Sequence, residues 1–149
     1  MKLNWLERAA VQTPYMVLCT DEKAFSAACG HMKIVPEDVP GKWINDDCDG
    51  TTHSFWKDDA APACVVCVRK DEKASLCEIA GLLTHEAVHV YATMKTINDG
   101  MPWEDEELAA VCISHIFQQL MQDYLLQMGR MDKLPRRMPA KGLRKKETT

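Results

Sequence analysis

The sequence predicts an α+β domain in which a small sheet precedes two long helices. Three observations support this prediction. A β-hairpin pattern occupies residues 51–69, and a capped helical stretch runs from Ser75 to about residue 97. A second helical stretch follows, from Glu104 to about residue 128, with an acidic first turn. Strands that come before a run of helices, rather than alternating with them, are typical of the α+β class.

The segment before the hairpin contains shorter elements. Residues 4–11 have the spacing of a short amphipathic helix, and residues 15–19 form an apolar run of strand length. Thr20 is placed to cap a helix over residues 21–29. The Pro- and Gly-containing stretch 31–50 predicts a loop.

The hairpin pattern distinguishes an edge strand from a central strand. Residues 51–56 mix polar and apolar side chains, which suits the edge of a sheet, whereas residues 63–69 are apolar on both faces, as expected at its centre. Cys64 and Cys67 form a C-x-x-C pair within the central strand. Because residues three apart in a strand point to opposite faces, this pair is not expected to bind a metal or to act in redox chemistry.

Length and charge limit the class of protein further. The chain has 149 residues, of which 46% are hydrophobic, so it is long enough for one globular domain. Residues 130–149 carry a net charge of +6, which leaves −10 for residues 1–129. We therefore expect a domain over 1–129 followed by a basic, disordered tail. The acidic body argues against nucleic acid as the main ligand and leaves the tail as the place for any polyanion contact.

Targeting signals are not apparent in the sequence. It contains neither the pattern of a secretory signal peptide nor an apolar run long enough to span a bilayer. The cysteine count of seven is odd, and most of these cysteines lie in apolar surroundings, as in reduced proteins. The sequence therefore predicts a cytoplasmic protein with no membrane partner.

The stretch with the clearest chemistry is His85-Glu86-Ala87-Val88-His89, inside the first long helix. Residues four apart in a helix lie about 40° apart around its axis, so the two histidines can offer ring nitrogens to one cation. Glu86 lies about 100° from His85, beside the metal rather than on it. This is the arrangement of a zinc-bound water with a neighbouring carboxylate. The alternative is two partly buried histidines without a ligand.

A catalytic zinc usually takes three protein ligands. The start of the second long helix supplies four acidic candidates: Glu104, Asp105, Glu106 and Glu107. Glu107 is preferred because it forms an i, i+3, i+4, i+7 stripe with Ala110, Val111 and Ser114, which we expect to lie with the buried face of the helix. Glu106 is the reserve candidate.

These residues resemble the gluzincin metallopeptidases. The H-E-x-x-H string is followed, eighteen residues after its second histidine, by Glu107-Leu108-Ala109-Ala110, which is similar to the E-x-x-A pattern of that family's glutamate helix. Residues 81–90 and 113–120 resemble small phage and prophage proteins of the minigluzincin type. The resemblance covers about residues 13–128. It implies a minimal thermolysin-like core: a small, mostly antiparallel sheet packed on an active-site helix and a glutamate helix.

The resemblance also implies roles for individual residues. Zn²⁺ would be bound by His85, His89 and Glu107, with Glu86 as the general base. Many gluzincins carry an Asp four residues after the ligand Glu, and Val111 occupies that position here. The orientation of the ligands must then come from other residues.

Four further candidates come from chemistry and position alone. No residue matches the Tyr or His that stabilises the oxyanion in larger peptidases, and His115 and Tyr91 are the candidates for that role. His53 and Phe55, on the predicted edge strand, are candidate substrate contacts because an edge strand can align an extended peptide.

The predicted function is a zinc-dependent hydrolase, a peptidase, acting on a peptide or protein substrate. One alternative is a non-catalytic zinc-containing phage protein that binds a host or virion partner, which would place it in a bacterial host cell. Another gives the basic tail the main role, as a tether to nucleic acid or to a virion component.

Overall fold

The structure is a computed structural model that describes residues 5–6, 14–57, 60–98 and 101–130. Within these ranges four strands form one sheet: β1 (Trp5–Leu6), β2 (Tyr15–Cys19), β3 (Gly50–Lys57) and β4 (Ala60–Val68). The helices are α1 (Glu22–His31), α2 (Leu76–Ile97) and α3 (Glu106–Gln127), with a 3₁₀ turn at Pro36–Asp38. The predicted α+β class is confirmed.

The sheet has the strand order β1-β2-β4-β3. The β1/β2 and β3/β4 pairs are antiparallel, whereas β2 and β4 run parallel. The sheet is therefore mixed, although two of its three pairings have the expected antiparallel direction. β4 lies between two neighbours and its residues 64–68 are fully buried, while β3 is an edge strand. The predicted distinction between a central and an edge strand is confirmed.

The predicted helix over residues 4–11 is wrong where the structure describes it. Trp5 and Leu6 form a strand that pairs with Val17 and Met16. This pairing provides hydrogen-bond partners for the backbone groups on the edge of β2 that faces away from β4. Pairing between strands therefore overrides the helical spacing of the apolar residues in 4–11. The other residues of 4–11 lie outside the described ranges.

The helix starts follow local capping chemistry. Ser75 caps α2 in a reciprocal capping box with Glu78, as predicted. The hydrogen bond from the Ser75 amide lowers the pKa of the Glu78 carboxyl. The predicted cap of α1 is shifted by one residue, because Asp21 rather than Thr20 accepts the Ala24 amide, at 2.8 Å.

The sheet separates two hydrophobic clusters. One lies between the sheet and the pair of helices α2 and α3, and the other lies between the sheet and α1 with the loop that follows it. Cys64 belongs to the first cluster and Cys67 to the second, which confirms that the C-x-x-C pair points to opposite faces. The helix that carries the H-E-x-x-H string is therefore packed over β3 and β4, with α3 beside it.

No helix in the described part of the chain is both long enough and apolar enough to cross a membrane. The predicted domain boundary falls just after the end of α3. Residues 131–149, which hold nearly all of the predicted basic tail, lie outside the described ranges.

Candidate metal centre

The two histidines of the motif converge on the exposed surface of α2. The Nε2 atoms of His85 and His89 lie 3.2 Å apart, and their ring centroids are 4.9 Å apart. Both side chains are exposed. A tetrahedral zinc with Zn–N bonds of about 2.0–2.1 Å holds two nitrogens about 3.3 Å from each other. The pair therefore has the spacing that two imidazole ligands of one zinc ion require.

Glu86 lies on a different side of the same helix. Its side chain is 2% exposed, and its Oε2 accepts a hydrogen bond of 2.7 Å from Thr52 Oγ1 on β3. One residue corresponds to about 100° of helix rotation, so Glu86 lies about 100° from His85 and about 60° from His89. The carboxylate is therefore held between α2 and the edge strand, next to the exposed side of α2 that carries the two histidines. We call that side the histidine flank.

Two residues at the start of β3 determine the surroundings of this carboxylate. Thr52 supplies its hydrogen bond, and Gly50 supplies space. A Cβ atom added at Gly50 would lie 2.9 Å from Glu86 Oε1 and 3.2 Å from the carbonyl oxygen of Cys67. Neither residue was singled out from the sequence. The alternation along residues 51–56 shows which side chains share a face, but not which face meets α2.

Glu107 lies on α3 and is exposed, together with Ala110 and Ser114, and Val111 in the same stripe is 57% exposed. The prediction that this stripe is buried is wrong. The buried face of α3 instead repeats every four residues, at Cys112, Ile116, Leu120 and Tyr124. Glu107 is about 140° around the helix from Cys112, which places it on the outer side of α3.

α3 also packs on the other side of α2 from the histidines. Tyr91 on α2 contacts Trp103, just before α3, with ring centroids 5.7 Å apart. His89 is about 160° around α2 from Tyr91. His85 and His89 therefore converge on one side of α2, Glu86 lies beside them around the helix with its carboxylate against β3, and α3, which carries Glu107, packs on the other side. Within the described ranges, no group of three or more His, Cys, Asp or Glu side chains is placed to hold a metal ion.

The reserve ligand candidate and the two oxyanion candidates also lie away from the histidine flank. Glu106 is exposed in the first turn of α3. His115 is on α3, where its Nε2 accepts a hydrogen bond of 2.7 Å from Gln119 Nε2. Tyr91 is buried on the side of α2 that faces Trp103. None of the three is brought to the histidines by this fold.

His53 and Phe55 point to the opposite face of the sheet from Thr52. The ring of His53 lies 5.1 Å from that of Phe25 on α1, and its Nε2 donates to the carbonyl oxygen of Trp43 at 2.9 Å. Phe55 packs against the same cluster around α1. Because successive side chains of a strand alternate in direction, these two predicted substrate contacts are directed away from the histidine flank.

The seven cysteines are free. Burial raises the pKa of the Cys64 thiol, and a hydrogen bond with Cys19 together with burial raises the pKa of the Cys67 thiol. A neutral thiol is a poor metal ligand. The expectation that most cysteines lie in apolar surroundings included Cys77, which is instead exposed, as is Cys48. These two thiols are therefore the cysteines that could compete with the histidines for zinc.

Comparisons with protein-family models, with curated proteins and with solved structures found no match. The resemblance to gluzincins therefore remains a prediction from the motif residues. The fold and the site together describe an α+β protein with a converging histidine pair on an exposed helix surface.

Proposed function

We propose that this chain is a zinc-dependent hydrolase of the peptidase class, in which His85 and His89 bind the metal and Glu86 is the general base. The observation that carries the proposal is the 3.2 Å separation of the Nε2 atoms of His85 and His89. Glu86, which lies between these two histidines in the sequence, supplies the carboxylate. The gluzincin resemblance of the motif supports the same assignment.

Each residue has a separate task in this proposal. His85 and His89 would hold zinc through their ring nitrogens, and their exposure leaves the site open to a peptide. When bound there, zinc would supply a Lewis acid that activates a water molecule for attack. A carboxylate oxygen of Glu86 accepts the proton of the attacking water and returns it to the leaving amine. The role of Glu86 requires its carboxylate to be held in a defined position, which the contact with Thr52 provides.

The direct test is to incubate the zinc-loaded protein with a peptide library and to identify products by mass spectrometry. Cleavage that a chelator abolishes and added zinc restores is the expected result. A protein with one zinc per chain and intact Glu86 that cleaves no peptide would contradict the proposal.

A separate experiment tests whether Glu107 is the third zinc ligand. Glu107 remains the prediction from the sequence, but its position on the outer side of α3 leads us to expect that Glu107→Ala binds zinc within about threefold of wild type. Glu106→Ala is the matched control, since it removes the neighbouring exposed glutamate. Zinc affinity is measured by competition with a chromophoric chelator. A loss of zinc affinity of tenfold or more in Glu107→Ala, but not in Glu106→Ala, would show that α3 repacks to place Glu107 on the metal.

A second candidate function is a non-catalytic zinc protein that binds a host or virion partner. The burial of Glu86 and its hydrogen bond to Thr52 favour this candidate, because a carboxylate enclosed between a helix and a strand is not exposed to solvent. Glu86→Gln distinguishes the two functions. A binding protein retains its biological effect in this variant, whereas a hydrolase loses it.

A further inference from the structure

Two hydroxyl groups on one face of β3 connect the edge strand to α2. Thr52 Oγ1 donates to Glu86 Oε2 at 2.7 Å, and the hydroxyl groups of Ser54 and Thr93 are also 2.7 Å apart. The Thr52 hydroxyl contacts the carboxylate of the H-E-x-x-H motif. The Ser54 hydroxyl, two residues further along the strand, contacts Thr93 instead. We infer that Thr52 is a positioning residue for Glu86 and that Gly50 provides the space in which the carboxylate is held. The catalytic meaning of this inference rests on the proposed hydrolase function.

The hydrogen bond holds a carboxylate that burial would otherwise destabilise. Glu86 is 2% exposed, and a buried carboxylate without a donor pays a large desolvation penalty. A short bond from a hydroxyl to a carboxylate is among the stronger protein hydrogen bonds. Removing the Thr52 hydroxyl would leave the buried carboxylate without this donor, and the side chain would no longer be held in its present position.

Thr52 itself is fixed by the sheet. It pairs with Val66 of β4, which is fully buried. Its β-branched side chain restricts rotation about χ1, so the hydroxyl has few alternative directions. A rigid donor on a strand that pairs with the centre of the sheet is a suitable anchor for a catalytic group.

Gly50 restricts the other side of the carboxylate. A methyl group at this position would meet Glu86 Oε1 at 2.9 Å, the Cys67 carbonyl oxygen at 3.2 Å and Leu82 Cδ1 at 3.2 Å. The Glu86 carboxylate and the Leu82 side chain would have to move to relieve their contacts, and the contact with the Cys67 carbonyl oxygen would require a small shift of the backbone. Gly50 and Thr52 are two residues apart on one strand and therefore approach Glu86 from the same face of the sheet.

The first test is independent of catalysis. In urea unfolding, Thr52→Val should raise the unfolding equilibrium constant about 10- to 100-fold when residue 86 is Glu, because a buried carboxylate loses its donor. In the Glu86→Met background the same substitution should change it by less than about threefold. Ser54→Ala is the matched control and should have the same effect in both backgrounds. Equal effects of Thr52→Val in the two backgrounds would overturn the inference.

The second test measures hydrolysis by the zinc-loaded protein. Thr52→Val should lower kcat about tenfold or more with KM within about threefold, because a displaced base affects the chemical step rather than binding. Thr52→Ser, which keeps the hydroxyl, should recover most of kcat, and the zinc content should be unchanged in both variants. Gly50→Ala, which displaces the carboxylate from the other side, should lower kcat in the same way. A Thr52→Val protein with wild-type kcat would overturn the inference.

The two tests separate failure of this inference from failure of the proposed function. Coupling between residues 52 and 86 in a wild-type protein that cleaves no peptide would contradict the hydrolase and leave Thr52 as the anchor of a structural carboxylate. An active hydrolase without that coupling would contradict the inference alone.

Discussion

Replacing Glu86 with glutamine is expected to lower kcat for peptide hydrolysis by about 100- to 10,000-fold, the usual contribution of a general base. Glutamine keeps the shape of the side chain and an oxygen that can accept the Thr52 hydroxyl, but it cannot take a proton from water. Because Glu86 lies between α2 and β3 rather than between the histidines, the variant should bind zinc as tightly as wild type. Steady-state kinetics and metal analysis on the same preparation measure both quantities.

The control for this substitution is Glu106→Gln, which makes the same chemical change at an exposed position on α3. Its kcat should equal that of wild type. A Glu86→Gln protein that retains full kcat would remove Glu86 from the chemistry, and one that loses its zinc would make Glu86 a ligand rather than a base.

His89→Ala is expected to weaken zinc binding at least about 100-fold, which exceeds the typical effect of changing a residue that only supports a ligand. The two Nε2 atoms lie 3.2 Å apart, so removing one ring leaves the metal with a single imidazole. Competition with a chromophoric chelator measures the affinity. Because His89 is exposed, the stability of the metal-free protein should change little.

The matched substitution is His31→Ala, which removes another exposed histidine, at the end of α1. Zinc affinity should be unchanged in this variant. Equal affinities for wild type and His89→Ala would mean that the metal binds elsewhere in the chain.

The parts of the fold that the sequence predicted well depend on residues close together in the chain. β2 has the predicted limits because an apolar run between breaking residues specifies a strand locally. The cap of α2 is predicted because Ser75 and Glu78 contact each other within one turn. The convergence of His85 and His89 follows from helix geometry alone, once the helix is known.

The parts that the sequence did not predict depend on contacts between distant residues. The strand at Trp5–Leu6 exists because β2 lies beside it. The partner of Glu86 is Thr52, 34 residues away, and strand alternation alone does not show which face of β3 meets α2. Glu107 was expected to lie with the buried face because it shares a helical stripe with Ala110, Val111 and Ser114. The face that α3 turns toward α2 is decided by packing, and its buried positions include Cys112, Ile116, Leu120 and Tyr124.

X-ray absorption at the zinc K-edge tests the central claim most directly, because it identifies the atoms bound to the metal. Applied to the full chain loaded with one equivalent of zinc, it should show two imidazole ligands with the remaining scatterers being oxygen, at about 2.0–2.2 Å. The imidazole signal should fall in His89→Ala. Sulfur scatterers at about 2.3 Å would contradict the account, since they would place the metal on cysteines such as the exposed Cys48 and Cys77 rather than on His85 and His89.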